Sequence, residues 1–321
     1  MKKWFLFALC FSFGWFPLNA AYVLKNGHLI DAKEVAEFPL QEHFELGLKA
    51  IKEKKWDDAA WQFRICVVNF EEADLVKEAY YYLGIACYNL NDMDCANKYF
   101  SIYLEKSANS KYFIETLTYK LACANAFKAG AKKHLFGLEK MPLWISAEDD
   151  AIKIYDELIV CLPSHELALK ALFEKADLLK REGALKGAIE GWQTITKRFP
   201  KTACAATSYV KISETLVEQQ RLEGQNPDLL PLAEINLKKF KSDFPQSQEL
   251  ERVCCFCQEM KEIRAGALYE TAAFYERKGS PKSAVLYYKQ AMKDFPKTQM
   301  ANQCQDRLTA LDTYAHELQA P

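Results

Sequence analysis

Apolar residues recur along the chain at offsets of four and then three, each time opening on an alanine. The six runs are Ala59-Phe63-Cys66, Ala96-Phe100-Tyr103, Ala151-Tyr155-Leu158, Ala188-Trp192-Ile195, Ala233-Leu237-Phe240 and Ala284-Tyr288-Ala291. On a helix those offsets put all three residues on one stripe, so each run predicts an amphipathic helix with a buried face. A small residue lies twelve positions ahead of four of the runs, at Gly47, Gly84, Ala176 and Ala272. That distance assigns it to a preceding helix, where the lack of bulk lets a partner helix approach closely. Proline stands five residues after the last member of four runs, at Pro163, Pro200, Pro245 and Pro296. It cannot continue a helix and marks the turn into the next pair. The pattern predicts an all-α solenoid of about six stacked helix pairs, with about 14 helices on that template.

A helix pair of roughly 34 residues with these features resembles the tetratricopeptide repeat. The first alanines are 37, 55, 37, 45 and 51 residues apart, so the third and fifth units carry longer connections. One is the stretch from Gly130 to Ala147, with Gly137, Pro142 and Trp144; the other is Glu223 to Pro227. The first lengthens its unit by loop or helix, and the second reads as a loop between helices. No run alternates with period two long enough to predict a strand.

The first twenty residues are a different material. Lys2 and Lys3 precede an apolar run from Trp4 to Phe16, followed by Pro17-Leu18-Asn19-Ala20. This order is that of a secretory signal peptide, and cleavage after Ala20 is expected. Thirteen residues are too few for a helix that needs roughly 20 to span hydrocarbon. Leu9 is too large for the position before a lipidated cysteine, so Cys10 is not expected to carry a lipid. A tether from Ala21 to about Phe38 then leads into an array over residues 39–316. Without residues 1–20 the chain carries 40 basic and 43 acidic residues. That balance argues against a dedicated nucleic-acid binder, which would show a basic stripe.

Export makes disulfides chemically possible for the ten cysteines after Cys10. Cys66 and Cys87, however, occupy slots filled elsewhere by Tyr103, Leu158 and Leu179, so they read as buried thiols packing as small hydrophobes. In Cys254-Cys255-Phe256-Cys257 the outer cysteines share a helix face, but no histidine lies within twenty residues to complete a metal site. The five histidines, at 28, 43, 134, 165 and 316, match no metalloprotease spacing, and no phosphate loop or nucleophile elbow occurs. Asp57-Asp58 and Asp149-Asp150 precede second helices, where acids complement the positive helix end. The expectation is a non-enzymatic protein with no cofactor and no metal.

The last third narrows the family. A Tyr-rich helix ends in Glu276-Arg277-Lys278-Gly279, then come Ser283-Ala284 and a helix closing on Asp294-Phe295-Pro296-Lys297-Thr298. The closing motif recurs at Arg198 to Thr202 and at Asp243 to Ser247. Near the front stand Phe44-Glu45-Leu46-Gly47, Trp56-Asp57-Asp58-Ala59-Ala60 and Gln62-Phe63. These features resemble the BamD-like (YfiO-type) outer-membrane protein assembly lipoproteins of Gram-negative bacteria, over roughly residues 40–105 and 260–300. The resemblance implies a periplasmic adaptor at the inner face of the outer membrane. Its C-terminal half would hold the barrel-assembly machinery and its N-terminal repeats would meet unfolded outer-membrane proteins. The chain departs from that family in lacking a good lipobox, in the 130–147 segment and in its cysteine load.

First helices of stacked pairs line a concave groove. On that template Phe44, Leu48 and Lys52, then Tyr81, Ile85, Tyr88 and Asn89, face the groove and suit an extended or C-terminal peptide carrying aromatics. Tyr269, Arg277 and Lys278 in the last unit form the candidate surface for a partner protein. Two other readings remain: an envelope or cell-division coordinator similar to CpoB-like proteins, and a cytoplasmic secretion chaperone. The first usually brings an N-terminal coiled coil, for which residues 21–40 are too short; the second requires residues 1–20 to be something other than a signal.

Overall fold

The computed structural model describes residues 22–25, 28–70, 73–106, 111–224 and 226–317. The signal-like segment and Cys10 lie outside the described residues. Among the described residues thirteen α-helices account for most of the chain, which divides into two compact units, residues 1–119 and 120–321.

The N-terminal unit opens with an antiparallel hairpin, β1 (Tyr22–Lys25) and β2 (His28–Asp31), in which Tyr22 pairs with Asp31 and Lys25 with His28. A 3-10 turn follows, and then α1 (Leu40–Lys52), α2 (Trp56–Asn69), α3 (Asp74–Asn89), α4 (Met93–Lys106) and the start of α5 (Phe113–Lys128). The segment ahead of α1 is no loose tether. The buried Asn69 side chain donates to the carbonyl oxygens of Glu34 (2.6 Å) and Ile65 (2.9 Å) and accepts from the Ala36 amide at 3.0 Å. The Phe38 amide donates to Nε2 of buried His43 at 3.2 Å, so Nδ1 carries the proton and donates to Gln62 Oε1 at 2.8 Å. Each buried polar group is thereby satisfied, and the leading segment is pinned to α2.

The C-terminal unit starts within α5 and continues through α6 (Glu148–Cys161), α7 (Glu166–Arg181), α8 (Leu185–Arg198), α9 (Ala203–Glu223), α10 (Leu229–Asp243), α11 (Leu250–Arg277), α12 (Pro281–Asp294) and α13 (Gln299–Glu317). Lys120, buried on α5, pairs with Glu157 on α6 at 2.7 Å, and Tyr155 donates to Asn125 at 2.8 Å. Between α5 and α6 the stretch expected to be extra loop or helix forms a second hairpin, β3 (Lys132–His134) and β4 (Leu143–Ser146), with a bulge at Lys133/His134. Both hairpins overturn the expectation of no strands. Each has strands of three or four residues, too short for a period-two signal to stand out.

The six runs fall on α2, α4, α6, α8, α10 and α12, the second helices of six pairs of the tetratricopeptide type. Every member is buried except Leu237, which is half-buried. The small residues do what the spacing implies. A Cβ on Gly47 would sit 2.7 Å from the Phe63 ring, and one on Gly84 2.6 Å from the Phe100 ring. The turns inside the pairs are also alike: the third residue beyond the helix donates back to the fifth carbonyl before it. Lys55 to Ala50 (2.9 Å), Asp92 to Cys87 (3.0 Å), Ala184 to Leu179 (2.9 Å) and Ser280 to Tyr275 (3.0 Å) repeat that bond. The intervening residue is left-handed, at Lys54, Asn91, Gly183 and Gly279.

The recurrent Phe-Pro-x-Thr closing has two halves. Phe199, Phe244 and Phe295 are the C-caps of α8, α10 and α12. Thr202 and Thr298 then cap the next helices, accepting from the amides of Ala205 and Ala301, each at 3.1 Å. The motif therefore ends one helix and starts the next within four residues.

Candidate functional site

In the N-terminal unit, the end of α2, the start of α3 and the end of α4 surround a slot of about 480 Å³. Val67, Phe70, Ala73 and Val76 give it apolar walls, and Lys77, Tyr80 and Lys106 give it a polar side. Ala73, Val76, Lys77 and Tyr80 follow helical spacing, so one face of α3 supplies most of the lining. The Lys77 ammonium pairs with Asp74 at 2.8 Å. The Lys106 ammonium lies 5.9 Å from the centre of the Tyr80 ring, in cation–π range, with no acidic partner among the described residues. Burial raises the Tyr80 hydroxyl above its ordinary pKa, against a lowering by nearby Lys98, so it stays a neutral donor near pH 7. The slot thus offers an apolar recess beside one hydroxyl and two ammonium groups. That chemistry suits a peptide with an apolar or aromatic side chain next to a carboxylate.

The predicted groove residues fare differently. Phe44 and Tyr81 are 5% and 6% exposed and face no groove. Phe44 packs edge-on against Phe63 and Tyr82, with ring centres 5.5 and 5.7 Å away. Tyr81 stacks on Tyr112 with centroids 4.3 Å apart and planes 8° from parallel. The Tyr112 amide donates to the Tyr103 hydroxyl at 3.1 Å, and the hydroxyls of Tyr112 and Tyr82 are 3.1 Å apart. These rings fill the space between helix pairs; burial raises the pKa of Tyr81 and Tyr82 strongly. Leu48, Ile85 and Tyr88 are half-buried, the last edge-on to Tyr119 at 5.2 Å. Lys52 and Asn89 are exposed, and Asn89 donates to the Ile85 carbonyl at 2.8 Å. Tyr80, one position from Tyr81, is the tyrosine that reaches the slot. Periodicity does not separate the two, because Gly84 lies four residues after Tyr80 and three after Tyr81; the stacking of Tyr112 on Tyr81 does.

In the last helix pair, Tyr269 is half-buried and packs edge-on to Tyr288 at 5.5 Å, so it contributes mainly to the core. Arg277 and Lys278 are exposed. The Lys278 ammonium lies 5.6 Å from the ring centre of Phe274, which is half-exposed, as is Leu286 on α12. Phe274 and Leu286 are apolar surface that no spacing in the sequence marks. Arg307 pairs with Glu276, which also accepts from Tyr288 at 3.0 Å. Burial, with that carboxylate, pushes the Tyr288 hydroxyl up to about 12.

Several of the candidate acids, histidines and thiols have structural uses. Asp149 and Asp150 lie in the first turn of α6. Burial raises the Asp150 carboxyl, but hydrogen bonds from Lys133 and Lys153 outweigh it and hold the group below its usual value. His165 caps α7, its Nδ1 accepting from the Leu167 amide at 3.1 Å. Cys66 and Cys87 are buried free thiols, and burial pushes Cys66 up to about 12. On α11, Cys257 is buried and Cys255 exposed, as their helix positions require.

No family model matches the chain, and no curated protein does. Solved structures that align with it include a double mutant of MamA (RS-1), at 16% identity over 66% of this chain and 94% of that one, with a TM-score of 0.37. A tetratricopeptide repeat protein from Parabacteroides merdae aligns at 11% identity over 83% of this chain and 98% of that one, with a TM-score of 0.37. PilW, a widely conserved type IV pilus biogenesis factor, aligns at 13% identity over 84% and 99%, with a TM-score of 0.29. At these values the architecture rests on the helix packing itself.

Proposed function

We propose that this chain is a non-enzymatic repeat adaptor that binds protein partners, exported and acting at the inner face of the outer membrane in the manner of the BamD-like proteins. The observation that carries the reading is the slot of the N-terminal unit, where Tyr80 and Lys106 stand beside the apolar walls of Val67, Phe70 and Val76. It takes the end of an unfolded outer-membrane chain: an aromatic side chain enters the recess and its carboxylate meets Lys106 and the Tyr80 hydroxyl. The exposed Arg277 and Lys278 beside Phe274 form the surface for the barrel-assembly machinery.

Titration of a fluorescent peptide ending in a carboxyl-terminal aromatic residue tests this site. Lys106→Glu reverses the charge beside the slot, and Tyr80→Ala removes both the hydroxyl and the ring. Each weakens binding about tenfold, as expected for loss of one charge-assisted contact, and leaves helicity intact. Amidating the peptide's carboxyl group has the same effect on the wild-type protein and little further effect on Lys106→Glu. Equal affinity for all three proteins would remove the slot from the account.

A further inference from the structure

The hairpin between α5 and α6 displays its apolar residues outward. Phe136 is 77% exposed, Trp144 68% and Leu138 54%, and Leu143 and Ile145 beside Trp144 are exposed as well. An exposed apolar cluster on a soluble scaffold marks a contact surface. Phe136 adds a second indication, because it holds a left-handed backbone conformation (φ 57°) that disfavours a bulky residue. An outward-pointing aromatic ring is kept there at a position where asparagine or glycine would be easier.

The distribution of these side chains bears on what covers them. Successive residues of a strand point to opposite faces, so Leu143 and Ile145 lie on one side of β4 and Trp144 on the other. A folded partner docking on one face would leave the other apolar and wet. A fluid apolar phase wets both. The charges agree with this: residues 132–146 contain three lysines and one glutamate. Lys132 and Lys140 are exposed, and Lys133 pairs with Asp150. Tryptophan with flanking lysines is the composition that settles at a bilayer interface, with the ring among the upper acyl chains and the ammonium groups at anionic headgroups. The open strand edges require water or headgroup partners for their amides, which limits the contact to the interface. No helix among the described residues is long and apolar enough to cross a membrane.

We infer that the β3–β4 hairpin is a membrane-contact element that inserts Phe136, Leu138 and Trp144 into the surface of an anionic bilayer. The inference rests on the hairpin alone and stands whether or not the slot binds peptides. Its test uses the full chain with vesicles of phosphatidylethanolamine and phosphatidylglycerol, compared with phosphatidylcholine alone. Two readouts isolate the hairpin from the apolar segment at residues 4–16. Phe136→Asn with Trp144→Ser keeps a residue suited to the left-handed turn and lowers vesicle affinity about tenfold, with the melting temperature unchanged. Brominated acyl chains quench the share of emission that Trp144→Phe lacks, and quench it more strongly in the anionic vesicles. Unquenched Trp144 emission, or equal binding by the double variant, would overturn the inference. So would a wild-type dimer that the double variant converts to monomer, since a second copy would then cover the hairpin.

Discussion

The two units close their helix pairs in different ways. In the N-terminal unit a ring from the second helix fills the space beside a glycine on the first: Phe63 at Gly47 and Phe100 at Gly84. Those rings continue into a network in which Phe63 stacks on Tyr82 at 5.4 Å and Phe100 on Tyr119 at 5.3 Å. In the C-terminal unit the small residue of the α7–α8 pair is Ala176. The glycine is on the second helix instead: a Cβ on Gly191 would lie 2.9 Å from that of Ala176. Around that contact the core is mainly aliphatic, with Leu172, Ile189, Ile195, Ile212 and Leu216 surrounding Trp192. One repeat template therefore accepts two solutions to close approach. A wedged ring can yield only if the rings stacked on it yield too, whereas a methyl carried on the backbone yields only if the two helices part slightly.

The largest expected effect follows from that difference. Gly84→Ala places a methyl group against three atoms of a fully buried ring, the farthest at 3.0 Å, and Tyr119 blocks its retreat. The expected loss is about 3 kcal/mol in chemical denaturation, against about 1 kcal/mol for Gly191→Ala, where one atom is that close and the alanine favours the helix. Equal losses would dissolve the contrast.

Alkaline pH separates the units next. Burial raises the hydroxyls of Tyr80, Tyr81, Tyr82, Tyr103 and Tyr119 in the N-terminal unit. In the C-terminal unit the raised tyrosines are Tyr155, Tyr209 and Tyr288. A hydroxyl whose folded pKa exceeds the unfolded value of about 10 gives its full stabilisation below that pH and loses it as pH rises through the folded pKa. Limited proteolysis across that range is expected to cut the N-terminal unit first.

The smallest effect lies in the turns. Lys54 occupies the left-handed position that Gly183 fills in the α7–α8 turn, with φ of 57° and 80°. Lys54→Gly is expected to stabilise by about 0.5–1 kcal/mol and Gly183→Ala to destabilise by about 1 kcal/mol, both read from thermal melts.

The helix pairs were legible because a stripe of buried residues imposes a spacing that survives in the sequence, as at Ala59, Phe63 and Cys66. The close approaches were legible for the same reason, since Gly47 and Gly84 are answered twelve residues on by the alanines of the next helix. What could not be read depends on partners distant in the chain. Asn69 has no local signal; its role comes from carbonyl and amide groups more than thirty residues earlier. The strands are too short to alternate visibly. The groove residues are not separable in the sequence because Tyr80, Tyr81 and Tyr82 are alike in type, and Tyr112, stacked on Tyr81, decides which is buried. Lys106 could not have been placed beside Tyr80 without the fold, as 26 residues separate them.

The adaptor reading is tested most directly by placing a photo-crosslinking residue at position 80 in cells, recovering the protein from envelopes and taking its intact mass. The account predicts outer-membrane chains captured at position 80, a barrel-assembly protein in the recovered complex and a mass beginning at Ala21. Capture of Tol or peptidoglycan proteins instead would transfer the role to an envelope coordinator. An uncleaved chain in the cytoplasm would contradict the account.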